Sequence, residues 1–367
     1  MIDQPKIGVV GCGYWGPNLV RNLRSIPDCS VQLVCDLSAE RLHHMQRLFP
    51  EVGRTRDFEH LLNGAGLDAV MIATSVATHF PLAKAALEAG KHVFIEKPMA
   101  ASSAQCEELI ALARSRGLVL MVGYTFLYSP AVRKIKEIID AGDIGELRYI
   151  NARRLNLGLF QKDINVAWDL APHDLSIILH VMAESPLSIN CSGTAHVPLG
   201  IEDVTTMFLK FPSQRSAVIQ NSWLDPRKIR EMTFVGSRGM IVYDDVASFE
   251  KIRIFDVRVE RPPHYDNFGE FQYSYHYGDM HVPHLRQEEP LKVECEHFVD
   301  CVRHDLKPLS DGHRGLDVVR LLEAASVSLQ QGGCAVEVRI NGRCRPPASI
   351  PPRIDLGSNS TPGSMAS

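Results

Sequence analysis

Lys97, Asp169 and His173 are the three side chains in the sequence that combine proton-exchanging chemistry with a fixed placement. Lys97 follows the apolar run from His92 to Ile95 and Glu96, and Pro98 follows it. Its ammonium is therefore held at a strand end rather than swinging in water, and desolvation there lowers a lysine pKa and lets it exchange a proton. Asp169 and His173 stand four apart in WDLAPHDLSI at the start of a helix, with Pro172 acceptable in the first turn. That spacing lets the carboxylate orient and charge-stabilise the imidazole. A lysine and a carboxylate-backed histidine suit the removal of a hydroxyl proton when a secondary alcohol is oxidised, or its return in the reverse reduction. The competing readings are a solvated loop lysine, and a helix cap followed by a satisfied core histidine. A metal pair lacks a third ligand at sensible spacing.

Hydride chemistry needs a cofactor, and the N-terminal stretch carries a signature for one. In KIGVVGCGYWG, Lys6 to Gly16, an apolar run stops at Gly11 and continues through Gly13, Tyr14 and Trp15 to Gly16. This reads as strand, tight turn and helix start. The first glycine permits the reversal, the second lets backbone N–H groups approach a pyrophosphate, and the third lets helix and strand pack closely. The helix N-terminus adds partial positive charge. A second strand, Val31 to Cys35, ends at Asp36, 20 residues after Gly16, where an acidic residue meets an adenosine ribose. Asp36 predicts NAD; Arg41, one turn into the next helix, leaves NADP open. An α/β turn without ligand is the alternative.

The elements that position these groups follow from the pattern. Helices Ala39 to Phe49, Phe80 to Ala89 and Ser103 to Arg116 separate strands Ala69 to Ala73, His92 to Ile95 and Leu118 to Val122. Alternation of this kind predicts a doubly wound parallel sheet, with ligands beyond the strand carboxyl ends. Thr74, His79, Glu96 and Lys97 are thus candidate cofactor contacts, with a packing histidine the equal alternative for His79. Tyr124 and Tyr128, after the last strand, line a sugar pocket or pack between domains.

From about Arg148 strand-like runs follow one another: Leu147 to Leu155, Leu187 to His196, Val204 to Phe211, Ala217 to Leu224, Glu231 to Val235 and Met240 to Tyr243. They predict an antiparallel sheet. Val204 and Phe208 on one face and Met207 and Leu209 on the other make both faces apolar, which predicts helices on one and a second subunit on the other, hence a homodimer or homotetramer. On the first of these strands Arg154 and Asn156 share a face; with Arg153 they grip a diphosphate or form a solvated surface. Asn165 is a candidate for a sugar hydroxyl. Helices Leu291 to Arg303 and His313 to Gln331 and a strand Ala335 to Ile340 close the fold, before a proline-rich polar tail. The expected organisation is α/β: a dinucleotide-binding Rossmann domain at 1–123, an α+β substrate and oligomerisation domain with a large open sheet at 124–340, and a disordered tail at 341–367.

With 367 residues, 45% hydrophobic and 22% charged, two ordinary globular domains are expected. A formal net charge of -4 with scattered basic residues gives no reason to expect a nucleic-acid or anionic-membrane partner. No apolar run approaches a bilayer span and no signal peptide is apparent, which predicts the cytoplasm. The nine cysteines contain no C-x-x-C pair, and Cys12 and Cys35 read as reduced packing residues. Cys295 and Cys301, beside Glu294, Glu296 and His297, fit no common zinc spacing.

GCGYWG near the start, Glu96-Lys97-Pro98 after the fifth strand and Asp169-Leu-Ala-Pro-His173 in the second half together resemble the glucose-fructose oxidoreductase and inositol dehydrogenase family, Gfo/Idh/MocA, over about residues 5 to 340. The resemblance implies a Rossmann domain, an open-faced antiparallel sheet and NAD(P)-dependent oxidation or reduction of a sugar or cyclitol carbon. It also implies that Lys97 and His173 line that carbon. The run Arg154 to Ile177 is most similar to members from polysaccharide, deoxysugar and aminosugar pathways, which points to C3 of a nucleotide-linked hexose. Tyr124 departs from an Asn-x-Arg pattern common in the family. A cyclitol or free-sugar dehydrogenase, a redox-silent NAD-binding sensor and a glycosidase using bound NAD remain alternatives.

Overall fold

The computed structural model describes residues 2–64, 66–260 and 274–338. The first half runs β1 (Lys6–Val10), α1 (Trp15–Arg24), β2 (Ser30–Cys35), α2 (Ala39–Leu48), β3 (Gly53–Thr55), α3 (Phe58–Gly64), β4 (Ala69–Ile72), α4 (Val76–Glu88), β5 (His92–Glu96), α5 (Ser103–Ser115) and β6 (Leu120–Gly123). Its six strands are parallel in the order β3-β2-β1-β4-β5-β6. Strand order reverses between β1 and β4, so the loops after β1, β4 and β5 gather at one rim. The central strands are buried on both faces: Val9, Val70, Met71, Phe94 and Ile95 are 0% exposed. β3 and α3 are additions to the expected elements, and α4 starts at Val76, which puts His79 inside a helix rather than in a loop.

A 3-10 turn, Thr125–Tyr128, and α6 (Pro130–Asp140) lead to the second sheet. It is built from β7 (Leu147–Leu157), α7 (Val166–Met182), β8 (Ser188–Thr194), β9 (Val204–Lys210), β10 (Ser216–Ser222), β11 (Leu224–Gly236), β12 (Met240–Asp244), β13 (Ile252–Glu260) and β14 (Ser274–His281). α8 (Pro290–His304), α9 (Gly312–Gln330) and β15 (Val336–Glu337) end the described chain. The nine strands are ordered β14-β13-β12-β11-β7-β10-β9-β8-β15. The sheet is not wholly antiparallel, because β10 pairs parallel with β7. The chain leaves β7 through α7 and returns by the β8–β9–β10 meander, and a helical crossover is what a parallel neighbour requires.

α7 covers one face through β7, β9 and β10. Along β9, Met207 and Leu209 are buried beneath it, while Phe208 is 43% exposed on the other face, as is Tyr149 of β7. The last two helices reach back to the first sheet. Phe298 of α8 packs edge-on to Phe94 at 5.7 Å, and a Cβ on Gly315 of α9 would lie 2.8 Å from Val122. Both sheets therefore share one continuous hydrophobic core. No helix among the described residues is long and apolar enough to cross a membrane. The expected tail at 341–367 lies outside the described residues.

Candidate active site

The glycine turn is shaped by contacts that exclude side chains. Gly11 has φ +94° and a Cβ there would sit 2.3 Å from the Ala73 carbonyl oxygen; one on Gly16 would sit 2.2 Å from that of Gly11. At Gly13 a Cβ would meet only the Arg41 guanidinium, at 3.9 Å, so this edge stays open to a ligand. Tyr14, at the N-cap of α1, makes no side-chain cap, which leaves first-turn N–H groups available to an anion. Tyr14 is 82% exposed and stacks edge-on with Trp15. Asp36 is buried, accepting from the Cys12 N–H at 2.7 Å and the Ser38 N–H at 2.8 Å, with Arg41 Nη1 at 3.5 Å. Burial, reinforced by Asp36, pushes the Cys12 thiol up to about 12, so it is a packing group.

These residues fit a dinucleotide, with the pyrophosphate at α1 and a ribose at Asp36. A 2'-phosphate there would meet a carboxylate that Arg41 only partly offsets. Asp36→Ser is expected to reduce the NAD over NADP ratio of kcat/KM by at least ~10-fold, the discrimination coming from charge repulsion. Comparable wild-type kcat/KM for both cofactors would contradict this.

Lys97 reaches α7 from the end of β5. Its Nζ donates to the Asp169 carbonyl at 2.7 Å and lies 3.5 Å from Asp169 Oδ1, with the lysine side chain 14% exposed. Asp169 Oδ2 accepts from Trp223 Nε1 at 3.1 Å. The expectation that Asp169 orients His173 is corrected: a full ammonium and an indole N–H occupy the carboxylate, and His173 Nδ1 is buried with no partner. The His173 ring instead meets Phe126 edge-on, centroids 4.9 Å apart. Burial holds its pKa well below the ordinary histidine value, and the charges of Lys97, Arg154 and Arg230 push the same way. His173 is therefore neutral at physiological pH.

His173 opens into a cleft of about 400 Å³ whose wall also includes Tyr14, Trp15, Thr125, Arg230 and Lys251. Lys97 is not in that wall; its ammonium is on Asp169, the residue one turn earlier in α7, near enough for its charge to lower the His173 pKa. Arg230 and Lys251 share Asp245, at 3.5 and 3.3 Å. Sequence reasoning missed Thr125, Phe126, Arg230 and Lys251. Arg230 carried a signal only through pairing, since it sits opposite Arg154 in the β11–β7 ladder.

Several other sequence candidates lie elsewhere. Tyr124 is 0% and Tyr128 1% exposed, the latter bonded to Ser310 Oγ at 2.9 Å, so both pack the core rather than line a sugar pocket. Arg154 is 5% exposed and forked onto Asp174, Nη2 to Oδ1 at 2.7 Å and Nε to Oδ2 at 3.0 Å, so it is not free to grip a diphosphate. Arg153 pairs with Glu231 across the strands. Asn165 caps α7, accepting from the Trp168 N–H and donating to Glu202, which uses its side chain locally. Asn156 is half-buried beside Gly158. Thr74, unlike these, stays at the glycine turn, its Cγ2 3.0 Å from where a Cβ on Gly11 would sit and its Oγ1 accepting from Thr78, and His79 is buried at 1%.

Two acids are buried alongside. Glu96 is 6% exposed; burial raises its pKa to about 7, with Lys97 pulling part of the way back. Glu294, 0% exposed, accepts from Thr125 Oγ1 at 2.7 Å, and burial, then the charge of Glu96, raises it well above the usual carboxylate value. A carboxyl raised on folding contributes its stability in full below its ordinary pKa and loses it as pH climbs through the folded value. The melting-temperature advantage of Glu294→Gln over wild type is expected to widen from about pH 5 to about pH 8. A constant difference by calorimetry would contradict that.

Tyr14 and Trp15 of the glycine turn share one cleft with His173, and with the ribose acid Asp36 and with Lys97 outside its wall they define an NAD-binding oxidoreductase. The chain belongs to the Gfo/Idh/MocA family: residues 5–124 match the model described as oxidoreductase family, NAD-binding Rossmann fold, and residues 132–242 match the GFO/IDH/MocA C-terminal domain. It is 25% identical over 340 residues to the myo-inositol 2-dehydrogenase of Thermotoga maritima, covering 89% of this chain and 96% of that one. It is 34% identical over 200 residues to the UDP-N-acetylglucosamine 3-dehydrogenase of Acidithiobacillus ferrooxidans, covering 52% and 59%. A crystal structure of that 3-dehydrogenase superposes with a TM-score of 0.74 at 25% identity, covering 90% and 99%. The protein is an NAD-dependent dehydrogenase acting on CH–OH groups.

Proposed function

We propose that the protein is a 3-dehydrogenase or 3-ketoreductase of a nucleotide-linked hexose. The observation that carries this reading is the make-up of one cleft, where neutral His173 meets the exposed aromatics of the glycine turn and the cations Arg230 and Lys251. The nicotinamide, when bound, supplies hydride acceptance or donation at carbon. His173, whose open edge faces the cleft, orients the reacting oxygen by a hydrogen bond, and Lys97, anchored on Asp169 outside the cleft wall, exchanges that oxygen's proton through a bridging water. Arg230 and Lys251 share the Asp245 carboxylate in a cleft that also holds Arg286, Glu288 and Glu289, so it is the donors of this pair rather than a net positive charge that suit a diphosphate. Similarity to a UDP-N-acetylglucosamine 3-dehydrogenase supports both substrate class and carbon. Similarity over nearly the full chain to a myo-inositol 2-dehydrogenase supports a cyclitol as the second reading.

The test is turnover of NAD or NADH with a panel of nucleotide hexoses, free hexoses and inositols, followed by nicotinamide absorbance, with deuterated NADH locating the reduced carbon. A nucleotide hexose is expected to be oxidised fastest by NAD, and its keto product, turned over with deuterated NADH, to take deuterium at C3. Faster turnover of free inositol would replace this reading with the second one. We assign the exposed sheet face around Tyr149 and Phe208 to a second copy of the chain. Light scattering is expected to return a dimer or tetramer, and a monomer at micromolar concentration would contradict it.

A further inference from the structure

We infer that His79 is a positioning residue for Lys97: its ring, carried on α4, holds the backbone from which Lys97 projects. The ring is buried on α4, with Nδ1 2.9 Å from the Pro98 carbonyl oxygen and Nε2 3.1 Å from the Thr74 carbonyl oxygen. These two carbonyls follow β5 and β4, neighbouring strands at the rim where the candidate site is assembled. Both partners are acceptors, whereas a neutral imidazole has a single N–H. Burial keeps the ring's pKa below the ordinary value against the pull of both carbonyls, and the charge of Lys97 adds to the depression. One contact is therefore a hydrogen bond and the other sets a lone pair against a carbonyl. We place the proton on Nδ1, at the shorter contact, where it bonds Pro98, the residue after Lys97.

A histidine packed only for volume has no need to sit between two acceptors. Here the ring holds the root of the Lys97 side chain while Asp169 holds its head. A lysine pinned at both ends presents its ammonium at one place, and small displacements of a proton-transferring group lower its efficiency steeply. The inference rests on the role proposed for Lys97, so its test uses no sugar.

Reductive methylation with formaldehyde and a borohydride, read by peptide mass spectrometry, reports the reactivity of the Lys97 amine. Lys91, whose ammonium donates to the Leu67 carbonyl at 2.8 Å just before β5, is the internal reference for global loosening. His79→Leu removes both contacts and is expected to raise the Lys97 to Lys91 labelling ratio at least ~5-fold, about the factor that one buried hydrogen bond is worth. His79→Gln keeps an N–H donor and is expected to stay within about twofold of wild type. A wild-type ratio in His79→Leu, or the same rise in both variants, would overturn the inference. Nitrogen-15 NMR of the wild-type protein decides independently of either variant: the Nδ1–H tautomer is expected, and the Nε2–H tautomer would overturn the assignment. Absence of turnover across the sugar panel would remove the substrate reading and leave these measurements standing.

Discussion

Lys97→Met is expected to lower kcat by at least ~10² while NAD binding survives, since proton transfer by a positioned group contributes ~10² to 10⁴. Methionine keeps the length and apolar stem of lysine, so a loss reports the ammonium rather than packing. His173→Ala is expected to lower kcat by a similar factor through a different route, because a ring held neutral by burial and three nearby cations orients oxygen rather than storing charge. Double variants separate the two. Asp169 holds the Lys97 ammonium, so Asp169→Asn added to Lys97→Met is expected to lower kcat little further, whereas Asp169→Asn and His173→Ala are expected to combine nearly additively. The opposite pattern would restore the carboxylate–imidazole pair that the i, i+4 spacing predicts. Near wild-type kcat in Lys97→Met would refute the relay outright.

That reversal shows which parts of the site a sequence makes legible. Gly11, Gly13, Gly16 and Asp36 are local: strand, turn and helix place them whatever the rest of the chain does, and they stand where the motif puts them. Lys97 is nearly as local, since it ends a buried strand. Asp169 and His173 are close in sequence, yet their partners come from far away: Lys97 from β5, Trp223 from between β10 and β11, and Phe126 from the turn after β6. Helical spacing permits a contact, and competition among donors decides whether it forms. Tyr124 and Tyr128 were ambiguous for the same reason, because α8 and α9 fold back over them from some 170 to 190 residues later. Among the elements, α6 was missed although Ser129 before Pro130 and an apolar face mark it, and β13 was missed although IRIFDVRVE alternates apolar with polar residues, whereas β14, SYHYGDMH, lacks that alternation and is defined by its ladder with β13. Asp174 carried a warning. It is an acid inside the apolar run LAPHDLSIILHVM, and a buried acid requires a cation from another element.

That cation supplies the other large effect. Arg154→Met is expected to destabilise the fold by about 3 to 5 kcal/mol, because it leaves Asp174, 2% exposed, charged and unpaired beneath the second sheet. The guanidinium also lies over the Phe126 ring at 4.6 Å, so its loss frees one side of the residue against which His173 packs. Removing both charges behaves differently. Arg154→Met with Asp174→Leu takes away the desolvation penalty along with the attraction, and buried pairs replaced by apolar groups of similar size are often neutral in stability. Denaturant unfolding of the two single variants and the double variant therefore gives a cycle in which the double is more stable than either single. Had Arg154 been a diphosphate ligand, as its place beside Arg153 allowed, Arg154→Met would leave stability within about 0.5 kcal/mol, the range of ordinary surface changes, and raise KM for the nucleotide sugar instead. A stable Arg154→Met variant with that KM phenotype would return the residue to the substrate, and the buried pair would no longer account for it.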